Sequence, residues 1–266
     1  MLVCTLGDLL LDVIVRVDSP LTPGDDTAAT TLLAAGGQAA NVAVWAAALG
    51  AEARVVAKRG GDDAGRLCAE ELRGRGVEAV GPIAGRNGVV VSLVAVDGER
   101  TMLSDRGVAS ELRPDEIEPA WLSGCDALHV SGYALLQEPA AAAAAKAAAL
   151  ARAAGARVSV DLSSWTAIRD HGPEQVLARL RSVAPNTIFA SDVERETLGG
   201  DVGTEWVLKH GAGGITVDGQ AYPAVVGEVV DTTGAGDAFA AGFLVGGVEL
   251  GLETAARCVA IVGALP

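Results

Sequence analysis

Asp231-Thr232-Thr233-Gly234-Ala235-Gly236-Asp237-Ala238-Phe239-Ala240-Ala241-Gly242-Phe243 joins a polar turn to a run of small and apolar residues. The run after Asp237 has the composition of a buried helix. Gly234 and Gly236 leave successive backbone N–H groups unshielded at the start of that helix, as an anion-binding nest requires. The helix dipole, equivalent to about half a unit charge at this end, adds attraction for phosphate. Asp237 sets a carboxylate inside the same positive pocket, where its charge would oppose a bound anion. That placement makes chemical sense if the carboxylate takes a proton from a hydroxyl that attacks a phosphate. An aspartate near a helix start also serves as a cap, and Gly-x-Gly alone would leave capping ahead. A dinucleotide fingerprint fits badly, because the third glycine of G-x-G-x-x-G is missing. No Gly-Lys-Ser/Thr occurs anywhere, which excludes a Walker A loop.

Outward from this stretch, strands and helices alternate. Leu2–Leu6 reads as a buried parallel strand ending at Gly7. Gly36-Gly37-Gln38-Ala39-Ala40-Asn41 opens an apolar helical run with Gly50 as its C-terminal glycine. The glycine pair lets a ligand approach the backbone, and Asn41 on the first turn offers both a donor and an acceptor. Val89–Val96 and Arg100–Ser104 flank Asp97-Gly98-Glu99, the signature of a hairpin. From Ala127 onward come strand Ala127–Val130, an alanine-rich helix from Pro139 to Ala154, strand Arg157–Val160 ending at Asp161, and strand Thr187–Ala190. After Asp237 a helix is expected to about Gly246 and another from Leu252 to Val262. The alternation predicts an α/β fold with a mainly parallel sheet and helices on both faces.

Asp231–Phe243 resembles the second signature of the ribokinase-like (PfkB) carbohydrate kinase family, D-T-x-G-A-G-D, and matches every signature position. Gly36-Gly37 and Asn41 are similar to the first signature. The resemblance implies one ribokinase-like domain over residues 1–266, with a small β lid built from about 10–33 and 88–105. It implies transfer of the ATP γ-phosphoryl group to a hydroxyl of a sugar or sugar-like molecule. Asp237 would be the base, and Gly234, Ala235 and Gly236 would hold the developing phosphate charge. Asp12, Gly36, Gly37 and Asn41 would bind the acceptor. Lys209, Gly211, Gly214 and Thr233 would bind the nucleotide. Ser191-Asp192-Val193-Glu194 resembles a motif that organises magnesium, which assigns Glu194 to the metal. Asp231 and Thr233 stand where relatives offer oxygens to potassium. The relatives' last loop has no counterpart here, so little potassium activation is expected. Many relatives dimerise through the lid, and the same is expected here. A nucleoside kinase of the same family, or a non-catalytic sugar sensor, are the other readings the residues leave open.

Composition narrows the partners. There are 34 acidic and 20 basic residues, a net charge of −14, which repels nucleic-acid backbones. Aromatics are 3% of residues, so Ala, Val and Leu must fill the core. Cys4, Cys68, Cys125 and Cys258 show no metal-type pairing and read as small buried hydrophobes. The first residues run straight into Gly7-Asp8 with no basic segment, so no signal peptide is expected. No apolar run is long enough to span a membrane, and a cytoplasmic protein is expected. His129, His171 and His210 share no local pattern and are expected to be structural.

Overall fold

Strand β1 (Leu2–Leu6) is buried at every position but its first. Only a strand covered on both faces carries such a run without alternation. In the computed structural model, which describes residues 1–266, β1 lies inside a nine-stranded sheet. The chain leaves it for β2 (Leu10–Val17) and β3 (Ala29–Gly36). It then forms α1 (Gln38–Ala48), β4 (Glu52–Val56), α2 (Asp63–Gly74) and β5 (Val77–Val80). A hairpin of β6 (Asn87–Val94) and β7 (Arg100–Gly107) follows. Alternation resumes with β8 (Ala127–Ser131), α3 (Ala140–Ala153), β9 (Arg157–Asp161), α4 (Trp165–His171) and α5 (Pro173–Val183). Next come β10 (Thr187–Ser191), α6 (Asp192–Leu198), β11 (Glu205–Lys209), β12 (Ile215–Val217) and β13 (Gln220–Tyr222). Helices α7 (Ala235–Gly246) and α8 (Val248–Val259) come last.

The sheet order is β13-β12-β11-β10-β9-β8-β1-β4-β5, parallel from β11 to β5, with β12 and β13 added antiparallel. The order reverses beside β1, the place where open parallel sheets bind ligands at their carboxyl ends. Strands β2, β3, β6 and β7 form a separate sheet in the order β3-β2-β6-β7. This is the expected lid, and its β6–β7 turn is closed by Gly98 donating to Ala95 O at 2.9 Å.

The core is built as the composition demands. On α3 the alanines at 140, 141, 143, 144, 147, 148 and 151 are buried, a helical stripe of small residues lying close on the sheet. Phe189 of β10 meets His129, Phe239 and Phe243 edge-on, an aromatic knot that carries β10 against α7. His129 is buried against Ser159, and burial lowers it to about 4, so it stays neutral. All four cysteines are free and buried. No helix is long and apolar enough to cross a membrane.

The bounds of α8, β6 and β7 differ from expectation. Helix α8 runs Val248–Val259 rather than Leu252–Val262. It starts early because Gly247 alone separates it from α7, so the two glycines mark a corner rather than a loop. It stops early because the Val259 carbonyl accepts from the amides of Val230 and Asp231 at 2.7 and 3.1 Å, tying its end to the signature turn. Strand β6 ends at Val94 and β7 continues to Gly107, because the pairing register runs Asn87 to Gly107 and Val94 to Arg100.

Candidate active site

Helix α7 begins at Gly234, whose φ of +75° favours glycine, and a side chain there would stand 2.7 Å from the Ala264 Cβ. The Asp237 carboxylate does not cap its own helix. It accepts from the Asn41 amide, 2.8 Å away on α1. Burial lifts the Asp237 carboxyl to about 7, opposed by the Asn41 bond and helped by the charge of Asp161. A carboxylate so placed can exchange a proton near neutral pH.

On one side of Asp237 lie the residues expected to bind the acceptor. Gly37 caps α1 with φ +95°, and a Cβ there would be 2.5 Å from the Asp8 carbonyl. Asn41 is buried, and its Oδ1 has no hydrogen-bond partner in the chain. A buried carbonyl oxygen of this kind calls for a donor, which a hydroxyl could supply. Asp12, from β2, fills the space beside Gly36 so closely that any side chain at 36 would collide with its carboxyl. Burial, with Glu71 nearby, raises Asp12 to about 6.

On the other side is a cavity of about 550 Å³. Ala235, Gly236, Lys209, Gly211 and Gly214 line its polar end. Val225, Val226, Val229, Leu252 and Val259 form an apolar wall. The polar end therefore gathers the expected nucleotide residues and the helix N-terminus, except for one substitution. Thr233 turns away, its N–H and hydroxyl donating to Asp231 at 2.9 and 2.7 Å, and Thr232 lines the cavity instead. Lys209 donates to Asp161 at 2.5 Å, and its Nζ lies 3.3 Å from where a Cβ of Gly236 would stand. Burial opposes its charge, and the carboxylates of Asp161 and Glu194 raise it.

Glu194 sits in a capping box at the start of α6, its carboxylate accepting the Ser191 amide at 2.7 Å. Burial and Asp161 raise its carboxyl. No group of three or more His, Cys, Asp or Glu stands together as a complete metal cage. Magnesium needs none when phosphates and waters supply most of its oxygens, one or two carboxylates being enough. Asp161, paired with Lys209, and Glu194, whose carboxyl feels the Asp161 charge, are two carboxylates that fit that mode.

Three contacts were not legible in the sequence. Asp161 and Lys209, each noticed alone, form an ion pair. Arg100 of β7 forms a two-oxygen ion pair with Asp231 at 2.9 and 3.0 Å. Asp231 also accepts from the amides of Thr233 and Gly263. Against the upward push of burial, these bonds bring Asp231 down to about 2. Arg106 of the same strand pairs with the buried Asp8 and lies over the Tyr133 ring, 3.7 Å from its centre. His210 bridges Asp192 and Thr216 at 2.7 and 2.8 Å. None of the three histidines bonds to Asp237.

A carboxylate on the first turn of a helix, with an unpartnered amide oxygen on one side and a cavity lined by glycines and a lysine on the other, is an arrangement that phosphoryl transfer can use. A family profile described as "pfkB family carbohydrate kinase" matches residues 1–205 and 203–265. An ATP-dependent ribose-1-phosphate kinase of Halopiger xanaduensis is 34% identical over 97% of this chain and 90% of that protein. Fructokinase-1 of Zea mays is 30% identical over 91% of this chain and 82% of its own length. The crystal structure of adenosine kinase from Sinorhizobium meliloti superposes with a TM-score of 0.85 at 26% identity, covering 99% of this chain and 95% of that one. The chain belongs to the pfkB family: it is an ATP-dependent carbohydrate kinase with the ribokinase-like α/β fold and β lid.

Proposed function

We propose that this kinase transfers the γ-phosphoryl group of ATP to a hydroxyl of a sugar or sugar derivative, with Asp237 as the general base. The observation that carries this is the position of Asp237, bonded to Asn41 on the acceptor side and flanked by Ala235 and Gly236 on the donor side. Asp12, Gly36, Gly37 and Asn41 hold the acceptor hydroxyls, and the unpartnered Asn41 Oδ1 accepts from one of them. Asp237 then takes the proton of the attacking hydroxyl. The amides at Gly234, Ala235 and Gly236, with Lys209, face the charge that develops on the transferred group. Positioning and preorganised charge supply most of the rate in such a transfer. The apolar wall of the cavity takes the adenine face. Asp161 and Glu194 would hold magnesium, which neutralises phosphate charge when bound.

The relatives act on different acceptors: a phosphorylated pentose, fructose and a nucleoside, by their names. Of these, the sugar readings draw on the greater sequence identity. In the lid, Val89, Val91 and Leu93 are less buried than Val90, Ser92 and Val94. The register places Val13, Leu33 and Leu103 on that outer face, with both leucines more than half exposed. Such an apolar face fits a second copy of the chain. ADP formation with ATP, magnesium and a panel of free sugars, sugar phosphates and nucleosides tests the activity. Absence of turnover on every acceptor, from folded protein, would count against it.

A further inference from the structure

Ser163, in the turn after β9, holds a left-handed backbone at φ +71°, a region that residues other than glycine seldom adopt. Hydrogen bonds to three separate segments keep it there. Its N–H donates to the Asp161 carboxylate at 3.1 Å, and its Oγ accepts the Gly132 amide at 3.0 Å. The hydroxyl proton then needs an acceptor. It has Gln38 Oε1 at 2.6 Å, with the Asp161 carbonyl further off at 3.0 Å. Gln38 is the first residue of α1, one turn before Asn41. Its side chain donates to the Asp237 carboxyl, alongside the bond from Asn41. Neither Ser163 nor Gln38 has a part in the transfer described above. Backbone strain that surrounding bonds hold in place gathers at functional sites.

The bond from Ser163 fixes which way the Gln38 amide points. Turned the other way, the amide oxygen would stand against the Asp237 carboxylate, two acceptors together. The serine proton would be left to the more distant Asp161 carbonyl. In the observed orientation, two amides from one turn of α1 donate to Asp237. A base that takes a proton from a hydroxyl in line with a phosphate works only within a narrow range of orientation. We infer that Gln38, oriented by Ser163, is a positioning residue that holds the Asp237 carboxylate toward the acceptor hydroxyl together with Asn41. It acts through Asp237, and so the inference rests on the kinase reading of the site.

The test measures kcat, the KM for ATP and for the best acceptor, and Tm. The variants are Gln38→Leu and Ser163→Gly, each alone, combined, and in an Asp237→Asn background. Gln38→Leu keeps the volume and removes both polar groups. Its kcat should fall by roughly ten- to hundredfold, the range for losing a hydrogen bond to a charged group, with both KM values within about twofold of wild type. Glycine suits the positive φ at 163, so Ser163→Gly should hold or raise Tm while its kcat falls several-fold. The combined variant should be no slower than Gln38→Leu alone, because the hydroxyl acts through the amide. On Asp237→Asn, Gln38→Leu should change the residual rate by less than about twofold, since the group it positions is gone. A merely structural role would cost the same on either background. Gln38→Leu at wild-type kcat, or a loss that persists in full on Asp237→Asn, overturns the inference while leaving the kinase reading intact. A combined loss equal to the product of the two single losses overturns the part given to Ser163. If Gln38→Leu does not fold, Ser163→Gly on the two backgrounds decides by the same comparison. No turnover by the wild type on any acceptor defeats both readings.

Discussion

The two sheets are held in different ways. The central strands of the nine-stranded sheet, β1, β8, β9 and β10, are buried on both faces and fixed by apolar contact with helices such as α3 and α7. The four-stranded lid is covered only in part: Val90, Ser92 and Val94 are buried, while Leu32 and Met102 on their face and Leu33 and Leu103 on the other are each more than half exposed. Near the site it meets the body through charge, at both ends of β7: Arg100 on Asp231 at the phosphate loop, and Arg106 on Asp8 at the acceptor pocket. Apolar packing is insensitive to salt and pH, whereas ion pairs respond to both. Asp237 is therefore mounted on the rigid body, and the lid is the part whose attachment salt and pH can tune.

The strongest way to break this division is at Asp237, on the rigid side. Asp237→Asn keeps shape and hydrogen bonding and removes the proton acceptor. Its kcat should fall by at least roughly two orders of magnitude, measured as initial rate on the best acceptor. Near-wild-type turnover in the folded variant would refute its role as base.

A pH profile sharpens the same point. With Asp237 lifted to about 7, kcat/KM should rise about tenfold per pH unit on the acid side and level off above neutrality. Stability should run the other way. The folded carboxyl stays protonated between its ordinary 3.8 and about 7, while the unfolded one has already ionised. The folded state therefore binds more protons across that window, and stability falls as pH rises through it. Asp237→Asn is spared this loss, so its Tm advantage over wild type should grow from acid to neutral pH. An advantage independent of pH would contradict the raised carboxyl.

On the lid side, Arg100→Gln unpairs Asp231 from its cation at a half-buried site. A loss of about 1–3 kcal/mol is expected, seen as a Tm lowered by several degrees and a difference from wild type that shrinks in high salt. A Tm equal to wild type would mean that the lid is held by packing after all. Substituting Leu33 and Leu103 together by Glu should leave the fold intact and convert a dimer to a monomer in light scattering. A wild type that is strictly monomeric at micromolar concentration removes the proposed lid interface.

The smallest effect concerns potassium. Both Asp231 oxygens are already taken by Thr233, Gly263 and the Arg100 guanidinium, which supplies positive charge there. Replacing potassium by a large organic cation at constant ionic strength should change the rate by less than about twofold. A several-fold activation would show that a monovalent cation competes successfully for that carboxylate.

Much of this protein could be read from local pattern. Continuous apolar strands, alanine-rich helices and glycines at helix ends point to the α/β class, and the run from Asp231 to Phe243 singles out Asp237 and the glycines before it as candidates. These features depend on residues within a few positions of one another, where backbone geometry is the main constraint. Strand order, the Asp237–Asn41 bond across 196 positions, and the pairing of Lys209 with Asp161 depend on where the sheet brings distant segments. So does the apolar cavity wall. Val226 is 98% exposed in a segment without regular structure, and its neighbours matter only because α8 folds back opposite them. The arginines were the least legible of all. A guanidinium on a lid strand looks like any surface charge until the fold shows which buried carboxylate it reaches, because an ion pair has no sequence period and acts through space alone.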